Sequence, residues 1–290
     1  MKLRVLVLGS TGLIGHQVFK HLDVLGNYDM YNISYRKKLN KGSILCDVRN
    51  EEKVISLIKS INPNIIINCI GILIKGANTN PQNAIYLNSY FPHLLMNLSD
   101  SINAKLIHIS TDCVFSGEKE MPYIEKDFKD GKDTYAKSKG LGEIINEKHL
   151  TLRTSVIGPE LKTNGEELFH WFMSQSGEVK GYTKSIWSGV TTLVLAKVVE
   201  WAIENKTTGL YHVTNNKSID KFTLLNMIKK YTKKDILIHP FDQKTCNKSF
   251  IDTRKELNFV IPTYDEMIHE MINAILKDKI SYRQYLSNLK

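Results

Sequence analysis

The first 150 residues alternate short, continuously apolar runs with stretches in which apolar residues recur every three or four positions. Continuous runs such as 3–8 and 65–69 are typical of parallel strands buried on both faces, and the spacing between them is typical of amphipathic helices. Strands are predicted at 3–8, 30–35, 43–46, 65–69, 105–109 and 150–153. Helices are predicted at 13–25, 51–60, 81–98 and 135–148. The alternation predicts an α/β fold with a Rossmann-type, doubly wound parallel sheet.

The pattern loosens after about Val156, where glycines and charged turns interrupt the apolar spacing. Elements are still predicted there: helices at 167–174, 190–204 and 264–277, a strand at 209–214, and a helix and strand within 220–240. We therefore expect a Rossmann domain at 1–157, to which 188–218 return. A smaller C-terminal substrate-binding lobe is expected from 158–187 and 219–290.

Composition narrows the class of protein. The chain is 42% hydrophobic and 24% charged, and no apolar run is long enough to span a bilayer. The net charge of +9 comes without a basic stripe interleaved with aromatic residues, so no nucleic acid and no membrane partner is expected. The four cysteines form no CxxC pair and no metal-ligand spacing. These features predict a cytoplasmic protein with free thiols and no metal site.

A glycine-rich turn follows the first predicted strand directly. Its spacing is GxxGxxG, and a helix follows it. Glycines let the backbone approach a pyrophosphate, and the N-terminus of the helix offers free N–H donors to the phosphates. The predicted cofactor contacts of the turn are Gly9, Thr11, Gly12, Leu13, Ile14 and Gly15.

The end of the second predicted strand is cationic, with Arg36 followed by two lysines. An NAD-selective site usually places a carboxylate there, so the cation favours the additional phosphate of NADP(H). Asp47 and Val48, just past the third strand, are expected beside the adenine. Asp47 alternatively caps the helix that begins at Glu51.

Tyr135 and Lys139 lie four residues apart and share one face of a predicted helix. An ammonium near a phenol stabilises the phenolate and so makes tyrosine a usable proton donor and acceptor near neutral pH. Thr111 follows the fifth strand, at the carboxyl edge where open α/β sheets bind ligands. Thr111, Tyr135 and Lys139 are therefore the predicted catalytic residues, and Tyr135 and Lys139 also the predicted cofactor contacts.

These motifs resemble the extended short-chain dehydrogenase/reductase superfamily, and more closely its dTDP-4-dehydrorhamnose reductase (RmlD-like) branch. The resemblance rests on four further stretches of sequence. They are ISTDCVFSG at 109–117, LRTS at 152–155, GLYHV at 209–213, and DTRKEL at 252–257 with Pro262 before the last helix. The resemblance covers nearly the whole chain.

The resemblance implies reduction by NADPH, with NADH as the alternative donor, of the keto group of a nucleotide-linked 4-keto-deoxysugar in cell-surface polysaccharide biosynthesis. It implies that Tyr135 protonates the developing alkoxide, that Thr111 binds the same oxygen and that Lys139 tunes Tyr135. It places Cys69, Ile70 and Gly71 beside the cofactor. Asn88 falls where the superfamily carries an asparagine that supports a proton relay.

The expected substrate contacts are positions where this chain departs from the branch, together with Asp112. Val156 replaces a tryptophan that contacts the sugar, and Trp187 is the candidate to supply an aromatic platform instead. Cys113 aligns with a cysteine that the related GDP-fucose synthase uses in epimerisation. His170 is the nearest candidate for the histidine which that reaction also needs. The packing alternatives are that Cys113 is a small pocket residue and Trp187 a core residue.

Two other classes of function remain open from the sequence. One is a sugar-nucleotide epimerase or epimerase-reductase, and the cationic strand end disfavours the simple epimerase that holds NAD tightly. The other is a non-catalytic NADP-binding regulatory subunit, because the regulatory subunit of methionine adenosyltransferase resembles the same branch. The expected partners are a nucleotide sugar and a second copy of the chain as a homodimer.

Overall fold

The computed structural model describes residues 2–254 and 258–289, which form two compact units along the chain. Unit 1 comprises Met1–Phe115, Phe128–Arg153 and Ala196–Tyr211. Unit 2 comprises Ser116–Asp127, Thr154–Leu195 and His212–Lys290. Within the predicted C-terminal motif, 255–257 lie outside the described residues.

A seven-stranded sheet forms the centre of the fold, in the order β3-β2-β1-β4-β5-β6-β11. The strands are β1 Leu3–Leu8, β2 Tyr28–Ser34, β3 Ile44–Leu45, β4 Ile65–Asn68, β5 Lys105–Thr111, β6 Leu150–Thr154 and β11 Gly209–His212. The ladders that join β1, β2, β3, β4 and β5 are parallel. The order reverses direction between β1 and β4, which is the topological switch point of a doubly wound sheet. The predicted α/β fold class is confirmed.

The helices of the first half connect these strands. They are α1 Gly15–Leu25, α2 Glu51–Ile61, α3 Ile74–Thr79, α4 Pro81–Ala84, a π-helical segment Ile85–Tyr90, α5 Phe91–Ser101, a 3₁₀ turn Asp112–Val114 and α6 Thr134–Leu141. Val54, Ile58 and Ile61 give α2 an apolar stripe at helical spacing, and all three belong to the core cluster that also buries Leu6 and Ile66 of the sheet. Each such side chain contributes about 1.5–3 kcal/mol on burial.

Two predicted helices differ from the structure in a way that matters for the site. The helix expected at 81–98 is divided by the π-helical segment that carries Asn88. The helix expected at 135–148 ends at Leu141, because Gly142 packs directly against the backbone of Asn88. A Cβ on Gly142 would lie 1.8 Å from the Asn88 carbonyl oxygen, so only glycine fits there.

Unit 2 contains short strands that pair over long sequence distances. The elements after β6 are β7 Val156–Ile157, α7 Leu168–Ser174, β8 Gly177–Tyr182, β9 Ser185–Trp187, β10 Val190–Thr191, α8 Thr192–Glu204, β12 Ile219–Asp220, α9 Lys221–Thr232, β13 Ile236–Phe241, β14 Cys246–Asn247, α10 Tyr264–Lys277 and a 3₁₀ turn Arg283–Asn288. β8 pairs with β13 in parallel, and α9 packs on both strands. The prediction of α10 is confirmed, and Thr263 and Glu266 close its first turn as a capping box.

No helix within residues 2–254 and 258–289 is both long and apolar enough to cross a membrane.

Candidate active site

The turn between β1 and α1 fits a dinucleotide pyrophosphate. Gly9 has a φ of +80°, and its N–H bonds to the carbonyl of Ile33 at 2.9 Å. A Cβ on Gly15 would lie 2.2 Å from the Gly9 oxygen, so this turn closes only around glycine. Ile14 precedes α1 and its side chain makes no cap hydrogen bond, so the positive end of the helix dipole borders the turn without a side-chain cap. The close backbone packing of this glycine turn fits the predicted dinucleotide cofactor, whose pyrophosphate needs a turn without side chains.

The remaining side chains of the turn are partly accessible. Thr11, Leu13 and Ile14 are half-buried, whereas Ser10 is fully buried and donates to Asn32 Oδ1 at 2.8 Å. The bond from Ser10 holds the turn to β2, and no local pattern in the sequence predicts it.

Two guanidinium groups flank Tyr35 at the end of β2. Arg36 Cζ lies 4.6 Å from the centre of the Tyr35 ring, and Arg49 donates to the Tyr35 hydroxyl at 3.1 Å. Arg36 was predicted from the sequence and Arg49 was not. Both are exposed cations where the extra phosphate of NADP(H) is expected.

Asp47 does not cap α2, so that alternative from the sequence is wrong. The cap is Asn50, whose Oδ1 accepts from the Lys53 N–H at 3.0 Å. Asp47 instead accepts from Arg49, with 2.6 Å between Arg49 Nη2 and Asp47 Oδ2. These bonds from Arg49 hold the pKa of Asp47 below its usual value. Val48 is buried beside this pair.

The loop that follows β4 carries the next predicted cofactor contacts. Asn88 holds it in place: its Oδ1 accepts from the Ile72 N–H at 2.8 Å, and its Nδ2 donates to the Ile72 carbonyl at 3.0 Å and to Ser138 Oγ at 3.1 Å. Asn88 therefore joins the loop Cys69–Ile72 to α6. Ile70 and Gly71 lie on this loop, and Gly71 approaches Asn88 Oδ1. Burial raises the pKa of the Cys69 thiol to about 12, so Cys69 is a neutral wall residue.

Helix α6 presents the phenol and the ammonium. Asp133 caps this helix by accepting from the Ala136 N–H at 2.7 Å. Tyr135 is 8% exposed and forms a buried cluster with Ala77 and Ala84, against which Cys113 packs. Lys139 is 4% exposed, and its Nζ donates to the Ile109 carbonyl at 2.8 Å. Burial lowers the pKa of Lys139 to about 8, which brings this ammonium within reach of neutral pH.

Thr111 and Cys113 lie at the end of β5. The Thr111 hydroxyl accepts from the Cys113 N–H at 3.1 Å and lies 3.1 Å from Asp112 Oδ1, to which it donates. Thr111 therefore caps the 3₁₀ turn that follows β5. Because Cys113 packs against the cluster that contains Tyr135, the structure brings the predicted hydroxyl and phenol to the same part of unit 1.

A buried ion pair lies behind α6. Glu143 accepts from Arg153 Nε at 2.8 Å and Nη2 at 2.6 Å, and from Ser110 Oγ at 2.7 Å. Although burial opposes ionisation, the bonds from Arg153 keep the pKa of Glu143 below its ordinary value. Lys129 Nζ lies 3.3 Å from the same carboxylate and donates to the carbonyl of Gly140. Arg153 of the LRTS motif thus holds the end of α6 to the sheet.

The remaining predicted residues belong to unit 2. Val156 is half-buried. Trp187 is 4% exposed, its ring centre 5.6 Å from that of Tyr264, and this burial favours the packing alternative over a sugar platform. His170 Nδ1 lies 2.8 Å from the Tyr285 hydroxyl. This ring nitrogen is therefore already hydrogen-bonded, although an epimerase mechanism would need the imidazole for proton transfer.

Four site residues were missed by the sequence analysis: Arg49, Asn68, His108 and Glu143. Arg49 stands two residues after Asp47, so its cationic side chain beside a predicted adenine contact was a usable signal. Asn68, His108 and Glu143 carried no local signal, because each acts through partners distant in the sequence. In residues 2–254 and 258–289, no group of three metal-ligating side chains is gathered, and the four cysteines are free.

The chain is similar to known proteins in both sequence and fold. A family model described as RmlD substrate binding domain matches residues 3–277. The dTDP-4-dehydrorhamnose reductase of Escherichia coli strain K12 is 31% identical over 162 residues, which cover 53% of this chain and 51% of that protein. The chain thus spans about half the length of this relative.

Two further matches are broader. The spore coat polysaccharide biosynthesis protein SpsK of Bacillus subtilis is 27% identical over 218 residues, which cover 73% of this chain and 74% of that protein. The crystal structure of dTDP-4-dehydrorhamnose reductase from Bacillus anthracis in complex with NADP matches with a TM-score of 0.82 and 24% identity. That match covers 94% of this chain and 100% of the other, and it shows the shared fold.

Proposed function

Because this chain belongs to the RmlD substrate-binding domain family, we propose that it is an NADPH-dependent reductase of a nucleotide-linked 4-keto-deoxysugar. The observation that carries this proposal is the pair on α6: Tyr135 and Lys139 are both buried, and Cys113 from the end of β5 packs against the cluster that contains Tyr135. Burial lowers the pKa of Lys139 to about 8, and such shifted groups cluster at functional sites, which favours an enzyme over a regulatory module.

NADPH, when bound, supplies the hydride that reduces the keto carbon. The glycine turn Gly9–Gly15 would hold its pyrophosphate, Arg36 and Arg49 its additional phosphate, and the loop 69–71 would lie along it. The predicted adenine contacts Asp47 and Val48 lie beside Arg49. NADH would lack the phosphate for the two cations, so weaker binding is expected for it.

The chain's own residues handle the proton. Tyr135 donates its hydroxyl proton to the oxygen that gains negative charge, and Thr111 donates a hydrogen bond to that oxygen after releasing Asp112. The Lys139 ammonium stabilises the phenolate that forms when Tyr135 loses its proton. A proton transfer of this kind contributes about 100- to 10,000-fold to the rate.

The rest of the assignment belongs to the same proposal. The substrate-binding lobe is formed by 158–187 and 219–290, and Val156, just before it in the chain, is a candidate sugar contact. Asp112 and Cys113 are candidate sugar contacts at the end of β5. The protein works in the cytoplasm, in cell-surface polysaccharide biosynthesis, as a homodimer. The similarity to a spore coat polysaccharide biosynthesis protein supports the pathway class.

The direct test follows NADPH absorbance at 340 nm with a panel of nucleotide-linked 4-keto sugars. We expect Tyr135→Phe to lose about 100- to 10,000-fold in turnover with little change in NADPH affinity. The control Tyr31→Phe alters a hydroxyl that pairs with Asp29 on β2 and should retain full activity.

Two outcomes would overturn the proposal. Tight co-purification of NAD, with no net oxidation of NADPH and with conversion of one sugar into its epimer, would favour the epimerase class. No NADPH loss with any sugar, together with a partner enzyme that co-purifies, would favour the regulatory subunit.

A further inference from the structure

His108 lies inside β5, directly beneath the active-site ammonium. Its side chain is fully buried, and its Nε2 lies 3.5 Å from Lys139 Nζ. Its other ring nitrogen, Nδ1, lies 3.2 Å from Asn68 Nδ2 at the end of β4. The proposed mechanism gives no role to either His108 or Asn68.

Asn68 determines which nitrogen of His108 carries the proton. Asn68 Oδ1 accepts from the Ile70 N–H at 3.1 Å, and this bond orients the amide so that its NH₂ group faces His108. An NH₂ group can only donate, so His108 Nδ1 must be the acceptor. In a neutral imidazole the single proton is then on Nε2.

The imidazole is neutral in this setting. Burial, together with Lys139 and more weakly His93, keeps the pKa of His108 well below its ordinary value. His108 therefore presents an N–H to the Lys139 nitrogen. This N–H opposes an ammonium at Nζ and favours an amine, whose lone pair could accept it.

We propose that His108 is a positioning residue for Lys139: Asn68 fixes its tautomer so that Nε2–H faces Lys139 Nζ, and this N–H lowers the pH at which the ammonium gives up its proton. The other groups that act on Lys139 are the Glu143 carboxylate, which favours the ammonium, and the Cys69 thiol. The Ile109 carbonyl accepts from the same nitrogen.

The link to catalysis rests on the proposed reductase function, in which Lys139 must be an ammonium. His108 then determines the alkaline limit of activity. Replacing its N–H with an acceptor would let the ammonium persist to higher pH.

The first measurement needs no substrate and no activity assay. Nitrogen-15 NMR of the histidine rings in the free protein distinguishes a protonated ring nitrogen from an unprotonated one, and His108→Phe identifies the resonances of His108. We expect His108 to carry its proton on Nε2 between pH 6 and 9. A proton on Nδ1, or a cationic ring, would overturn the proposal whatever the reductase assays give.

The second measurement reverses the tautomer. In Asn68→Asp one carboxylate oxygen can still accept from Ile70 N–H, and the other accepts from His108 Nδ1–H, so that Nε2 turns its lone pair towards Lys139. We expect the alkaline limit of kcat to rise by about one pH unit. His108→Gln, whose amide oxygen can accept from the ammonium, should move it in the same direction.

Two controls distinguish the effect of the His108 tautomer from the effect of the added carboxylate and from a general loss of stability. The double variant Asn68→Asp, His108→Phe keeps the new charge without the imidazole, so it should lose most of the shift. His149→Gln removes another fully buried histidine, whose Nδ1 accepts from the Leu106 N–H, and should lower stability without moving the alkaline limit. Alkaline limits that coincide in wild type, Asn68→Asp and His108→Gln would overturn the proposal.

Discussion

Lys139, a catalytic residue in the proposed mechanism, opposes the stability of its own fold. Its ammonium is buried next to the neutral rings and carbonyls of β5, and burial lowers its pKa to about 8 from an ordinary value near 10.5. A base whose pKa is lower in the folded state binds protons more weakly there than in the unfolded chain. The resulting penalty is full below pH 8 and is relieved as the pH rises towards 10.5.

We therefore predict that Lys139→Met makes the cofactor-free protein more stable at pH 7 while it removes activity. The expected gain is on the order of 1–2 kcal/mol, after allowance for the lost hydrogen bond to Ile109. Urea unfolding followed by circular dichroism measures it, and the gain should shrink between pH 8 and 10. Lys137→Met changes an exposed lysine of the same helix and should leave stability unchanged. A loss of stability in Lys139→Met at pH 7 would contradict this account.

Helix α6 depends on contacts that are remote in sequence at its carboxyl end. Gly142 ends it against the Asn88 carbonyl, and Lys129 and Arg153 gather around Glu143 just beyond. Because Asn88 also binds the Ile72 backbone, the end of α6 and the loop at 69–72 are held by one junction. Disturbing this junction should affect both stability and catalysis.

Gly142→Ala tests this junction. The new Cβ would lie 1.8 Å from backbone, so the π-helical segment or α6 must move, at a cost of about 2–4 kcal/mol. We expect a lower urea midpoint and a raised KM for NADPH. Gly42→Ala is the matched control, since its Cβ would meet only Asn40 Oδ1 at 3.6 Å; it should be neutral or slightly stabilising. Equal midpoints for the two variants would show that the contact at Gly142 is unimportant.

The chain as a whole was predictable where its own periodicity decides the structure. The apolar runs of β1 and β4 and the amphipathic spacing of α10 needed no information beyond their own residues. The strands β7, β10, β12 and β14 are two residues long and exist only through pairing with distant partners. Among site residues, the glycine turn and the pair on α6 have local signatures. His108 and Glu143 do not, because only the folded sheet brings their partners to them.

Stability over the pH range has a second determinant in unit 2. Burial raises the pKa of Asp252 to about 7, and the neighbouring Glu125 adds to the effect. Glu125 stays ionised because, although burial opposes it, His212 and the Thr253 hydroxyl keep its pKa below the usual value. An acid whose pKa is raised on folding contributes stability at low pH, and this contribution is lost as the pH rises from 3.8 through about 7.

We predict that Asp252→Asn stabilises the protein at pH 8 and has little effect at pH 4. The amide keeps an oxygen for the Arg254 N–H and offers a donor to Glu125 in place of a second charge. A gain of about 1 kcal/mol would raise Tm by about 2 °C at this chain length. Asp242→Asn, at an exposed position, serves as control and should show no such pH dependence. If the gain were the same at both pH values, the titration of Asp252 would not be its source.

The two edge strands of the central sheet, β3 and β11, are short. β3 has two residues and β11 has four, so each margin offers few unpaired backbone groups to another chain. Short outer strands are a common protection against sheet-to-sheet aggregation. During refolding, a second chain can add to β3 or β11 through only a few backbone hydrogen bonds. We therefore expect little aggregation, and a high yield of refolded protein, after dilution from denaturant.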